Sequence, residues 1–99
     1  MALTGKQIRQ LRSMANGLKA NLIIGKDGVT PNVAKQANEG LEKHELIKCS
    51  VLDGCPLTTA EAGRELADRV EAELVQVIGK RVVLYRETSR EDVEKIKLV

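Results

Sequence analysis

Apolar residues recur with helical spacing near the start of the chain, at Ile8, Leu11, Ala15 and Leu18. The stretch before them reads as a helix entry. Thr4 can cap, Gln7 completes a capping box, and Leu3 and Ile8 occupy the hydrophobic-staple positions. That helix is predicted to end near Asn16-Gly17. The apolar run Asn21 to Ile24 suits a short buried strand. A second helix is predicted after Thr30, with Pro31 at its favoured first position and Val33, Ala37 and Leu41 on its inner face. From Glu45 to Leu52 the period becomes two: Ile47, Cys49 and Val51 alternate with Lys48 and Ser50, which predicts a strand ended by Asp53-Gly54. Thr58 and Glu61 form a second capping box. Ala62, Leu66, Val70, Leu74, Val77 and Ile78 then predict a long third helix closed by Gly79. Arg81 to Arg86 reads as a strand, and Lys95 to Val99 as a short final one.

The order is thus α-β-α-β-α-β-β, an α/β pattern in which strands joined through helices favour parallel pairing. The expected fold is a single compact domain over residues 1–99, a four-stranded mixed sheet packed with helices. The chain's 99 residues and 42% apolar composition suit one core of that size. That core must be aliphatic, because Tyr85 is the only aromatic residue. No apolar run approaches the ~18 residues of a membrane span, and no signal-like segment leads the chain. A soluble, cytoplasmic protein with no membrane partner is expected.

Net charge is only +2, but it is unevenly spread. Residues 1–35 carry six basic side chains against Asp27 alone, a balance of +5. Residues 36–79 balance at −5 and residues 80–99 at +2. One basic and one acidic face are expected, and a basic face is what a polyanionic partner needs. Cys49 and Cys55 with His44 do not complete a zinc ligand set, and two cysteines in a chain with its own core read as reduced. Neither a metal nor another cofactor is expected. Enzyme chemistry finds little footing: His44 follows the second helix, and no serine or cysteine has a base at a recognisable spacing. Glu61, Glu65, Asp68, Glu71 and Glu73 read as a solvated helix face among Arg64 and Arg69, or as a surface for docking a basic protein.

The candidate chemistry lies in Gly25-Lys26-Asp27-Gly28, between the first strand and the second helix. It is neither a Walker A loop nor a G-x-G-x-x-G fingerprint. It matches the short G-x-x-G loop with which KH-type modules clamp RNA backbone, although four residues alone favour an ordinary turn. Glycines allow close approach, Lys26 adds a cation, and the helix start behind the loop offers backbone N–H groups to phosphate. Lys6, Arg9 and Arg12 form a stripe away from the apolar side of the first helix, and Lys80, Arg81 and Arg86 flank the Arg81 strand. With almost no aromatic platform, the expected mode is a grip on backbone rather than base readout.

Four blocks in order go further: Leu3-Thr4-Gly5-Lys6-Gln7 with Leu11-Arg12; Ile24-Gly25-Lys26-Asp27-Gly28-Val29; His44-Glu45-Leu46-Ile47-Lys48; and Val75-Gln76-Val77-Ile78-Gly79-Lys80 with Val83-Leu84-Tyr85-Arg86. Together they resemble the CRM-domain family (chloroplast RNA splicing and ribosome maturation), in particular its small single-domain bacterial members. The resemblance implies a fold similar to the C-terminal domain of translation initiation factor three. It also implies association with ribosomal RNA in precursors of the large ribosomal subunit, and no DNA partner. The family's loop falls on Gly25 to Gly28. Two departures stand out: Asp27 puts a carboxylate inside that loop, and Ser50 stands where some members carry a second basic residue after Lys48.

Overall fold

In the computed structural model, which describes residues 3–99, the order is α1 (Gly5–Ala15), β1 (Leu22–Ile24), α2 (Pro31–His44), β2 (Leu46–Val51), α3 (Thr59–Arg69), β3 (Glu73–Ile78) and β4 (Arg81–Tyr85). Helix starts follow from their caps. Gln7 N–H donates to Thr4 Oγ1 at 3.2 Å while Thr4 N–H donates to Gln7 Oε1 at 2.9 Å, and Thr58 and Glu61 repeat the exchange at the head of α3. Thr30 Oγ1 accepts from Val33 N–H at 3.1 Å ahead of Pro31.

The strands form one mixed sheet in the order β1-β2-β4-β3, with β1 parallel to β2 and the other pairs antiparallel. Helices α2 and α3 cover one face, closing a core that includes Leu22, Ile24, Leu41, Cys49, Leu66, Val82 and Leu84. Helix α1 and the C-terminal tail cover part of the other, over Leu46, Val75, Val83 and Tyr85. Burial on both sides explains β4, where Val82 and Leu84 point one way, Val83 and Tyr85 the other, and all four are buried. Tyr85 is therefore core, and burial, with Glu45 and Glu87 nearby, raises its hydroxyl pKa. Both cysteines are free thiols, and burial pushes Cys49 up to about 12, which leaves it unreactive.

Two expectations need correction. The third helix is not long. It ends at Arg69 in a Schellman turn: Glu71 N–H donates to Asp68 O, Ala72 N–H donates to Ala67 O at 2.8 Å, and Glu71 takes the left-handed φ of 55°. Glu73 to Ile78 instead form β3, joined to β4 by a tight turn at Gly79-Lys80. The strand is buried in part on both faces, so its apolar run carries no telltale alternation. The proposed acidic face breaks accordingly: Glu61, Glu65 and Asp68 stay on α3, Glu71 lies in the turn and Glu73 on the sheet. The fourth strand is thus β3, not the tail.

Lys95 to Val99 form no strand. They run over α1, where Gln10 Nε2 donates to Lys97 O at 2.7 Å and Gln7 Nε2 to Val99 O at 3.1 Å. Two glutamates at the end of α2 hold this tail. Glu45 carboxylate oxygens accept from Thr88 N–H and Ile96 N–H at 2.7 and 2.6 Å. Glu42 accepts from Ser89 N–H at 2.9 Å and from the Ser89 and Thr88 hydroxyls. The Ser89 hydroxyl and amide bonds, with Thr88 and Arg86 beside them, lower the Glu42 pKa from an ordinary 4.5 to about 2. A depressed carboxylate stabilises the fold above its ordinary pKa and loses that contribution as pH falls through its folded value. Ser89 amide protection, measured by hydrogen exchange, is accordingly expected to be full above pH 4.5 and lost by about pH 2.

Two glycines set how closely the helices approach the sheet. A Cβ on Gly63 of α3 would sit 2.8 Å from Val82 Cγ1 and 3.2 Å from Leu74 Cδ1. A Cβ on Gly40 of α2 would meet only Ile47 Cγ2, at 3.1 Å. Alanine gains about 1 kcal/mol over glycine in a helix interior. Overpacking costs about 1–3 kcal/mol where the neighbour cannot yield. Both neighbours are β-branched and stiff at χ1, but Val82 is fully buried and would be met at 2.8 Å, whereas Ile47 is half-buried and would need to give by only a few tenths of an ångström. Thermal melts should therefore show Gly63→Ala destabilised, by up to about 2 kcal/mol, and Gly40→Ala near neutral. Equal effects at the two sites would contradict the close approach of α3.

Candidate functional site

Strands β1 and β2 are parallel, so both helices that follow them start at the same end of the sheet. Three connections meet there: Gly25–Gly28 after β1, the turn from Leu52 to Cys55 after β2, and Gly79-Lys80 before β4. Backbone bonds knit them together. Leu52 N–H donates to Ile24 O at 2.9 Å and Val51 N–H to Lys80 O at 2.7 Å. Gly54 lies beside the stem of Lys26, since a Cβ there would be 3.9 Å from Lys26 Cβ.

The G-x-x-G segment is a closed turn, with Gly28 N–H donating to Gly25 O at 3.0 Å. Gly28 sits at φ 69° and is packed against Pro56 and Leu57, so this glycine is required by the turn itself. Lys26 and Asp27 form its exposed tip. No hydrogen bond or ion pair engages the Asp27 carboxylate among the described residues, so it caps nothing and faces solvent. The helix start behind the turn has little left to give. Pro31 has no N–H, and Thr30 already takes the Val33 amide. An anion at this turn would meet side-chain cations and the tip more than the α2 terminus.

Among the other candidates, Lys80 and Arg81 join the turn at this end. Lys80 Nζ lies 3.3 Å from Asp53 Oδ1 in an exposed pair, which water screens and a phosphate can displace. Lys26, Lys80 and Arg81 thus stand against Asp27 and Asp53, a modest positive excess. Lys6 and Arg9 are exposed on α1, which covers the Leu46–Tyr85 half of the opposite face, away from the turn. Arg12 points back to the sheet, where its Nε donates to Val75 O at 3.2 Å. Arg86 lies at the far end of β4. Its guanidinium donates to Val70 O at 2.7 Å and to Asn38 O at 3.4 Å and lies 3.9 Å from Glu42, so it ties α3 to α2. That role in the fold is one that the sequence pattern missed.

Among the described residues no cluster of histidine, cysteine, aspartate or glutamate could hold a metal ion, and no helix is long and apolar enough to cross a membrane. A groove of about 460 Å³ opens at the other end of β1, between Met14, Leu18, Lys19, Gly40 and Lys48. It is separate from the turn.

The architecture defines a class: an α/β domain with a four-stranded mixed sheet, helices on both faces, and a glycine-framed turn at the end where the parallel strands lead into helices. Residues 3–86 match the CRS1 / YhbY (CRM) domain, and the chain belongs to that family. It is 45% identical over 86 residues to "Probable RNA-binding protein YqeI" of Bacillus subtilis, covering 87% of this chain and 90% of that one. It is 34% identical over 94 residues to "Probable RNA-binding protein PA4753" of Pseudomonas aeruginosa, covering 91% and 86%. The solution structure of SAV1595 from Staphylococcus aureus superposes with a TM-score of 0.77 at 41% identity, over 96% of this chain and all of that one.

Proposed function

We propose that this protein is an RNA-binding module that associates with ribosomal RNA in large-subunit precursors and assists ribosome assembly. The observation that carries the RNA part is the convergence of the Gly25–Gly28 turn, Lys26, Lys80 and Arg81 at one end of the sheet, exposed and knit by backbone bonds. The names of the relatives support the same reading. The ribosomal part rests on the family resemblance of the four sequence blocks. Lys26 and the tip of the turn hold phosphate, Gly28 gives the turn the positive φ that presents this tip, and Lys80 and Arg81 extend the contact. Lys6 and Arg9 offer a second basic strip on α1, whereas Arg12 and Arg86 are both engaged by backbone carbonyls within the fold. No reacting group is proposed: the protein acts by binding.

Affinity carried by phosphates falls with salt at about −0.7 per contact for single strands, so three cations give a log–log slope of about −2. Titration of a ribosomal RNA fragment at increasing salt measures it, and a flat response would refute the loop as the site. Cross-linking in cells should place the bound RNA in the large subunit. Cross-links confined to other RNAs would remove the assembly role and leave RNA binding standing.

A further inference from the structure

Part of one sheet face is uncovered. Ile23 pairs with Ser50, Ser50 with Arg81, and Arg81 with Ile78, so these four side chains form one row across β1, β2, β4 and β3. Paired residues share a face. Alternation along β4 puts Arg81 on the same side as Val83 and Tyr85. Helix α1 covers those two, at 0% and 2% exposure, and stops short of the row, where Ile23 is 56% exposed and Ile78 57%. The exposure is not that of a frayed edge, because Leu22 and Ile24 on either side of Ile23 are buried. Arg81 is exposed and has no ion-pair partner among the described residues.

Four strands at the usual spacing make the row roughly 14 Å long. Its chemistry is aliphatic, hydroxyl, guanidinium, aliphatic. Unstacked bases need flat apolar surface and find it on arginine planes as well as on aromatic rings. The row also adjoins the proposed phosphate grip: Ile23 is two residues before Gly25, and Arg81 directly follows Lys80. Cations along the rim favour a polyanion over a protein segment as the occupant. A strand with phosphates on Lys26 and Lys80 would lay its bases across Ile23, Arg81 and Ile78.

We propose that this row is a platform for unpaired bases of single-stranded RNA, built without an aromatic ring; the proposal rests on the loop being the RNA site. Arg81 stacks its guanidinium plane on a base and keeps its charge beside the phosphates, Ile23 and Ile78 flank it, and Ser50 offers a hydroxyl to a base edge. Contact then goes beyond the sugar–phosphate backbone, which the scarcity of aromatic residues had argued against. RRM modules set two or three bases on aromatic rings of a four-stranded sheet; here a guanidinium plane and aliphatic side chains stand in that place.

The test compares a short single-stranded oligoribonucleotide with the same oligomer carrying abasic sites, by fluorescence anisotropy. The native protein should prefer the base-bearing oligomer by about tenfold, the lower range of stacking effects. Ile23→Thr with Ile78→Thr keeps β-branching and charge, and should remove most of that preference without changing the salt slope. Arg81→Lys keeps the charge but loses the plane, and should reduce the preference in the same way, an independent check should the double variant fold poorly. Lys26→Glu, by contrast, should lower the salt slope and spare the preference. Equal affinity of the native protein for both oligomers, or a preference that survives in the variants, would overturn the platform while leaving the loop intact. Native protein that binds neither oligomer at low salt would overturn both.

Discussion

Glu45→Ala is expected to free the C-terminal tail while the body of the domain stays folded. Glu45 is fully buried at the end of α2, in a left-handed conformation with φ 63°. Its two oxygens take the amides of Thr88 and Ile96 from separate parts of the tail, and its own carbonyl accepts from Arg86 N–H at 2.9 Å. A buried carboxylate is tolerable when hydrogen bonds replace its water, and these two charge-assisted bonds do so. Alanine removes both acceptors, and each orphaned amide would cost about 1–3 kcal/mol if the tail stayed in place. The tail has a cheaper course. Ordering its backbone costs ~1–2 kcal/mol per residue, and its apolar return comes mainly from Ile96 and Leu98. It should therefore let go and hydrate its amides. Hydrogen exchange would show Thr88 and Ile96 losing protection together, and protease would trim the chain back toward Arg86. Glu45→Gly, which suits the backbone conformation but lacks the carboxylate, should release the tail as well. Unchanged protection in both variants would show that Gln7, Gln10 and the apolar contacts hold the tail without Glu45.

Helix starts were legible because they are written in side chains: Thr4 with Gln7, Thr58 with Glu61, and Thr30 before Pro31. Helix ends were legible where Asn16-Gly17 closes α1 and His44 closes α2, but not at the end of α3. At Glu45 and Glu71 a glutamate occupies the left-handed position that normally signals itself with glycine or asparagine. The reason is visible only in three dimensions for Glu45, whose carboxylate is needed by a tail more than forty residues on. Without a stop after α3, the spacing Leu66, Val70, Leu74, Ile78 satisfies a helix as well as it satisfies the strand that forms. The candidate site divides in a similar way. The turn could be read from Gly25 and Gly28, but its neighbours are set by the order β1-β2-β4-β3, which no local pattern encodes. That order brings Lys80 to the turn and carries Arg86 away from it, although both flank one strand.

Opposite substitutions at adjacent residues should move RNA affinity in opposite directions: Lys26→Glu weakens it and Asp27→Asn strengthens it. Both side chains are exposed at the tip of the turn, and neither takes part in a hydrogen bond or ion pair within the described residues, so neither change should disturb the fold. Gly28→Asp makes a poorer probe, because Gly28 is buried at φ 69° against Pro56 and Leu57 and its loss would confound binding with folding. Lys26→Glu removes one phosphate contact and adds a repulsion, for about a tenfold loss and a salt slope reduced by about 1. Asp27→Asn removes a carboxylate that opposes phosphate at close range. Two charges ~4 Å apart interact by about 1 kcal/mol in water, so a gain of roughly fivefold is expected. Because the effect is electrostatic, that gain should shrink as salt rises. If Asp27→Asn instead weakened binding, the carboxylate would be an acceptor for RNA hydroxyl or amino groups, and the tip of the turn would read more than charge.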